Sequence, residues 1–232
     1  MKIDKLSTHD DFKKLCYENE SNKHFTPESY EGRWNYHSIV LDMLKNDIDN
    51  IDTILEVGNS GFYFSKNSIA VTDTTDQKFR DDDIRSDIRQ SSLGNFRDQL
   101  SRGELGIRQP RWPFEDKQFD MFIALEVWEH LWNVNDPGDC GFEWNPTERK
   151  KKYGVEHPIV QASVFKEVMR VSKNAILSFP YMWGEHNGCP TNNCHYQIDR
   201  EIIKEWTCGV EPIEITDLQH NTTNHTVYRW RF

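Results

Sequence analysis

The sequence predicts an α/β fold built on an open sheet of mainly parallel strands, and three observations predict it. Short β-branched or apolar runs bounded by Gly, Ser and Asn recur along the chain, as in ILEV at 54–57 and SIAVTD at 68–73; such runs mark buried strands. Helical spacing appears before and between them, with Val164, Phe165, Val168, Met169 and Val171 on one stripe. In the second half the helix and strand patterns alternate, as a parallel sheet with helical crossovers requires.

Taken in order, Thr8 to Asn19 and Pro27 to Lys45 read as helices leading into the sheet; the second carries Tyr36, Ile39, Val40, Met43 and Leu44 at helical spacing. ILEV and SIAVTD are the first two strands, and the DIRSDIR stretch ending near Asp87 is a third. Polar residues 89–112 form a connection or a weak helix. FDMFIALEV at 119–127 is the clearest strand, followed at once by WEHLW. Residues 133–157 carry Pro, Gly and a basic cluster without periodicity, so an inserted loop or lid is expected there. A helix at 158–172, the strand NAILSFP at 174–180, a helix in IDREIIKEWT and the strands PIEITDL and HTVYRWRF complete the chain.

The 232 residues, 36% hydrophobic and 28% charged, suffice for one core. One domain over 1–232 is expected, with 1–50 as a helical lead. The formal net charge of −10 repels polyanions, which disfavours nucleic acid and anionic lipid as partners. No stretch has signal-peptide or membrane-spanning character, so a cytoplasmic protein without membrane association is expected. The five cysteines, Cys16, Cys140, Cys189, Cys194 and Cys208, are expected as free thiols. The tryptophans at 112, 128, 132 and 144 read as core or loop anchors. Nothing in the sequence fixes an oligomeric state.

The loop after the first strand sits where an open parallel sheet binds its ligand. It reads TILEVGNSGFY, with Gly58 and Gly61 three apart. That spacing does not fit a dinucleotide fingerprint, which needs three glycines. Glu56 and Gly58 instead form Glu-x-Gly, which resembles motif I of the class I S-adenosylmethionine (SAM) methyltransferases. WPFEDKQFDMFIALEVWEHL at 112–131 resembles that family's Pro-Phe, Phe-Asp, strand and Glu-x-x-Glu-His sequence, and FKEVMRVSKNAILSFP resembles its next block, a helix with Glu and Arg before a strand ending in proline. The resemblance is to the type 11 group and covers roughly residues 50 to 232.

The resemblance implies a Rossmann-like three-layer sandwich with a mainly parallel seven-stranded sheet and an antiparallel closing strand. It implies SAM as cofactor, held by Glu56, Gly58, Asn59 and Ser60 in the loop and by Leu125 at the later strand end. Asp73 would take the ribose hydroxyls, and Asp87 with Ile88 the adenine; Asp83 and Ile84 form an equally good pair for the adenine. Ser60 and Phe62 stand where the family commonly has glycine. Gly58 and Asp73 lie only fifteen positions apart, so the helix between the first two strands is short or missing.

Glu126, Glu129 and His130 have spacings that put them on one helical face at a strand's carboxyl end. His130 and Glu129 are the candidate catalytic residues. With His195, in a segment resembling metal-dependent relatives, they form a candidate site for Mg²⁺, Mn²⁺ or Zn²⁺; the same motif also braces the sheet in members without metal. His186, Cys189, Cys194 and His195 are a second zinc candidate of unsupported spacing. The expected activity is methyl transfer to an oxygen of a small-molecule or sugar-linked acceptor. The alternatives are a metal-assisted RNA 2′-O-methyltransferase and a degenerate SAM-fold binding or scaffold protein without turnover. The cluster Arg149, Lys150, Lys151 and Lys152 would suit a phosphate on either kind of substrate.

Overall fold

The computed structural model describes residues 6–18, 25–72, 84–85, 111–131, 160–183, 195, 198–220 and 223–232, with backbone alone at 72, 84, 85, 130, 160, 220 and 223. Among these, helices α1 (His9–Glu18) and α2 (Tyr30–Asn46) precede strands β1 (Ile54–Val57), β2 (Ser68–Thr72), β3 (Ile84–Arg85) and β4 (Met121–Leu125). Then follow α3 (Val160–Val171), β5 (Asn174–Pro180), α4 (Arg200–Trp206), β6 (Glu214–His220) and β7 (Thr223–Arg231). The strands pair in one sheet in the order β3-β2-β1-β4-β5-β7-β6. All pairs from β3 to β5 are parallel, whereas β7 runs antiparallel to both its neighbours. The order reverses direction between β1 and β4, so the switch point of the sheet, where an open parallel sheet carries its ligand crevice, lies at the carboxyl ends of these two strands.

Alternation along the strands divides the core into two faces. Leu55, Val57, Phe122, Ala124, Leu177 and Trp230 point to one face and pack with Val164, Phe165 and Val168 of α3 and with Ile203 and Trp206 of α4. Ile54, Ile123, Ile176 and Val227 point to the other and pack with Phe12 of α1 and with Val40, Leu41 and Leu44 of α2. Helices therefore cover both faces, and their apolar stripes supply most of the burial energy.

No helix joins β1 to β2. Residues 58–67 instead make turns whose Phe62 and Phe64 are buried. A parallel crossover usually needs a dozen or more residues, and here the N-terminal segment does the covering. Ser7 donates its N–H to the Phe64 carbonyl at 3.0 Å, Leu6 bridges Ser65, and Phe12 meets Phe62 edge-on with centroids 5.1 Å apart.

FDMFIALEV is strand only over Met121–Leu125. Phe119 makes a lone parallel bridge to Ser172, and Glu126 leaves the strand in the left-handed region at φ 54°. The segment before β4 is held by Arg170, which is paired with buried Glu167 and with Asp116 and donates to the carbonyls of Trp112 and Phe114. Glu167 in turn accepts the Trp112 N–H at 2.7 Å. Trp112 and Trp128 are core residues. Cys16 and Cys208 are free thiols; the other three cysteines, Trp132, Trp144, the Arg149–Lys152 cluster and the 133–157 loop lie outside the described residues. No helix among those described is long and apolar enough to cross a membrane.

His37 of α2 is buried among Phe12, Phe25, Phe62 and Phe64 and donates from Nδ1 to the Arg33 carbonyl at 2.7 Å. Burial holds its imidazole down at about 3. Below an unfolded value of about 6.5 the unfolded chain therefore binds a proton that the folded chain refuses, and stability falls as pH drops from about 6.5 toward 3. From pH 7 to pH 5 this one group removes about 2 kcal/mol. In His37→Phe that share of the difference in urea-unfolding free energy between pH 7 and pH 5 should vanish; an unchanged difference would contradict a buried neutral imidazole.

Candidate active site

The polar groups of the crevice lie on the face covered by α1 and α2. Glu56, Ser178 and His225 share the alternation of Ile54, Ile176 and Val227, so all three side chains point toward α2. β4, β5 and β7 are consecutive in the sheet, and Glu126, Ser178 and His225 stand in a row at their ends. Glu126 donates its N–H to the Ser178 carbonyl and hydroxyl at 3.3 and 3.1 Å, and the hydroxyl donates back to Glu126 Oε1 at 2.8 Å. His225 Nδ1 lies 3.3 Å from the same Oε1. Burial pushes the Glu126 carboxyl up, but the His225 imidazole and the Ser178 hydroxyl outweigh it and hold the group below its ordinary value. This row is a carboxylate with an imidazole fixed beside it, an arrangement able to take up a proton.

Glu129 sits in a single 3₁₀ turn, Trp128–His130, and is fully buried, with Oε1 3.6 Å from His195 Nε2. Burial and the charge of Glu126 push its carboxyl well above the ordinary value, which favours the protonated form. Burial likewise pushes the His195 imidazole down. Trp183 ties the two pairs together: it stacks on His195 at 5.1 Å, meets His225 edge-on at 5.2 Å, and donates its indole N–H to the Asn224 carbonyl. From above, the Tyr36 ring lies against His225 at 4.9 Å, and its hydroxyl accepts from Arg33 Nη1 at 3.1 Å.

In the loop after β1, Glu56 is buried and its Oε1 accepts the Phe64 N–H at 2.9 Å, so the acidic residue of Glu-x-Gly shapes the loop from within. Gly58, Ser60 and Gly61 all have positive φ, at 64°, 51° and 95°. Ser60 thus keeps the backbone shape that a glycine would adopt freely. Asn59 Oδ1 accepts the Gly61 N–H at 3.3 Å. Phe62 turns into the aromatic layer with Phe12, His37 and Phe64. Leu125, the last residue of β4, is half-buried beside this layer.

Of the predicted residues, Glu56, Gly58, Asn59, Ser60 and Leu125 flank the crevice, and Glu126, Glu129 and His195 are brought together. The helical-face reason for this does not hold, because Glu126 precedes the 3₁₀ turn in a left-handed conformation. Asp73, Asp83, Asp87, Ile88, His186, Cys189 and Cys194 lie outside the described residues, as does the side chain of His130. Among the described residues no group of three or more His, Cys, Asp or Glu side chains is gathered closely enough to hold a metal ion. The described side chains make two carboxylate–imidazole contacts, Glu126 with His225 and Glu129 with His195. Sequence reading missed His225, Ser178, Trp183, Tyr36 and Arg33. The one signal was the position of HTVYRWRF as a closing strand, whose first residue is His225.

No family model matches the chain, and no curated protein matches it. Solved structures to which it is similar include the magnesium protoporphyrin IX methyltransferase of Synechocystis PCC 6803 with bound SAH, the demethylated product of SAM. That protein is 13% identical over 86% of this chain and 83% of its own, with a TM-score of 0.43. A chain of the Haloferax volcanii complex of the Trm112 methyltransferase activator is 10% identical over 97% and 100%, with a TM-score of 0.48. The cyclase SpnF is 10% identical over 93% and 85%, with a TM-score of 0.45. Likenesses this distant carry no function over to the chain.

Gly58 packs so closely that a Cβ there would meet Val127 Cγ2 at 2.6 Å, in a left-handed conformation that itself disfavours a side chain. Gly58→Ala should cost about 1 to 2 kcal/mol from the backbone and more from the overlap. Val127→Ala should recover the overlap part alone, so a double-mutant cycle by urea unfolding should give a coupling of about 1 kcal/mol. Strict additivity would mean the two loops do not meet as described.

Proposed function

We propose that the chain is a SAM-dependent methyltransferase that methylates an oxygen of a small-molecule acceptor. The observation that supports this most is the meeting, at the point where the strand order reverses, of the Glu56–Gly58 turn with the row Glu126, Ser178 and His225. Glu56, Gly58, Asn59, Ser60 and Leu125, with Asp73, Asp87 and Ile88, would hold the cofactor. When bound, SAM supplies an electrophilic methyl group on a sulfonium, released as the carbon–sulfur bond breaks.

His225 is the general base in this reading. It takes the proton of the acceptor hydroxyl on its free ring nitrogen, while Glu126 on Nδ1 stabilises the imidazolium that forms and Ser178 fixes the carboxylate. His225 thereby takes the role expected of His130 and Glu129. The buried surroundings of Tyr36 and Trp183 keep water from competing for the methyl group, and most of the rate comes from alignment of the reacting atoms. The net charge of −10 favours a compact acceptor over a polyanion, and a sugar-linked acceptor remains within this reading.

Titration calorimetry should give micromolar SAH binding. His225→Ala should lower turnover about 10²- to 10⁴-fold while SAH affinity stays within about threefold. Methyl-labelled SAM, incubated separately with total RNA, denatured protein and a small-molecule extract, should label the extract. Absence of SAH binding at millimolar ligand would favour a scaffold without turnover, and label chiefly in RNA would favour the 2′-O reading.

A further inference from the structure

Arg33, in the first turn of α2, is half-buried and stands apart from the other arginines whose side chains are described. Arg111, Arg170, Arg200, Arg229 and Arg231 each face a carboxylate: Asp116 for the first two, Asp217 for Arg200 and Asp47 for the last two. Arg33 makes no ion pair with a carboxylate among the described residues. Its Nη1 donates to the Tyr36 hydroxyl at 3.1 Å and its Cζ lies 5.2 Å from the centre of the Phe25 ring. A guanidinium has five donors, so one hydrogen bond and a ring leave most of its capacity unused. Taking such a cation partly out of water without an anion is unfavourable.

Its direction is set by its neighbours. Its Nη1 bonds the Tyr36 hydroxyl at 3.1 Å, and the Tyr36 ring lies against His225 with centroids 4.9 Å apart. Arg33 therefore overlooks the same space as the proposed base. The carboxylate of the row, Glu126, is already engaged by His225 and Ser178. In a chain of net charge −10, an unmatched cation at this point is a local exception to the repulsion of anions.

We propose that Arg33 anchors an oxyanion, a carboxylate or a phosphate, on the small acceptor whose hydroxyl meets His225. This rests on the methyltransferase reading for the acceptor's role, though the anion site itself does not. The planar guanidinium matches either oxyanion with two parallel hydrogen bonds. Tyr36 fixes one edge of the guanidinium and Phe25 its face, so little conformational freedom is lost when the anion arrives.

The test uses the full chain with sodium benzoate and inorganic phosphate as probes, each against sodium chloride at equal ionic strength, with and without saturating SAH. The wild type should gain thermal stability with at least one oxyanion in either condition. Arg33→Gln should weaken that response at least about tenfold, and Arg33→Lys should keep part of it. SAH affinity by calorimetry should be equal in all three. A wild type that ignores both oxyanions, or an Arg33→Gln protein that responds as the wild type does, would overturn the proposal. So would a loss of SAH affinity in Arg33→Gln, which would assign the guanidinium to the cofactor's own carboxylate. Failure of the methyltransferase reading would be separate, seen as no SAH binding in the wild type while the oxyanion response without SAH persists.

Discussion

A carboxylate taken out of water at the end of β4 must be matched, and much of the site follows from how Glu126 is matched. Both groups that match it come from the sheet itself: Ser178 on the parallel neighbour β5 and His225 on antiparallel β7. The antiparallel strand matters here. Because β7 starts where β5 ends, His225 falls opposite Pro180, at the carboxyl rim of the parallel strands. A parallel strand at that place in the sheet would bring the start of its sequence to the opposite rim. The left-handed turn at Glu126 completes the arrangement by aiming the backbone N–H at Ser178.

The same face is closed by α2, which ties stability to the site. His37 and Tyr36 are adjacent in sequence yet serve two layers, His37 in the aromatic packing over the loop after β1 and Tyr36 against His225. Burial raises the Tyr36 phenol and lowers the His37 imidazole, so both neutral forms are favoured. Packing of His37 and Phe12 onto the Phe62–Phe64 loop also takes the place of the helix that a β1-to-β2 crossover would ordinarily supply. The N-terminal helices thus both complete the core and roof the site.

The strands were legible because their chemistry is local. ILEV is β1 residue for residue, and NAILSFP is β5, since a run buried on both faces needs no knowledge of its partners. The Glu-x-Gly turn was legible for the same reason, and so was the missing helix, which follows from chain length. The row of Glu126, Ser178 and His225 was not. Ser178 lies inside an apolar strand and His225 nearly a hundred residues after Glu126, and their meeting depends on the register of β5 with β4 and with β7. Register is a property of the assembled sheet. Phe62 illustrates the converse: it departs from the family's glycine-rich loop, yet its ring turns away into the core that α1 and α2 provide.

Whole-molecule charge and local charge give different answers about partners, and the local one governs recognition at contact distance. A net charge of −10 acts over a screening length of about 8 Å at physiological salt, which discourages long polyanions whose charges extend beyond any pocket. Within the crevice the ledger is made of individual contacts. Glu126 is matched by His225, Glu129 is held toward its neutral form by burial, and Arg33, bonded to Tyr36, is left as a cation without an ion pair among the described residues. A small anion would meet Arg33 at short range with little of the outer acidic surface beside it, whereas a polymer would have to lie across that surface. The same residues that match Glu126 and bury Glu129 therefore leave Arg33 as the group on which the proposed anion recognition turns.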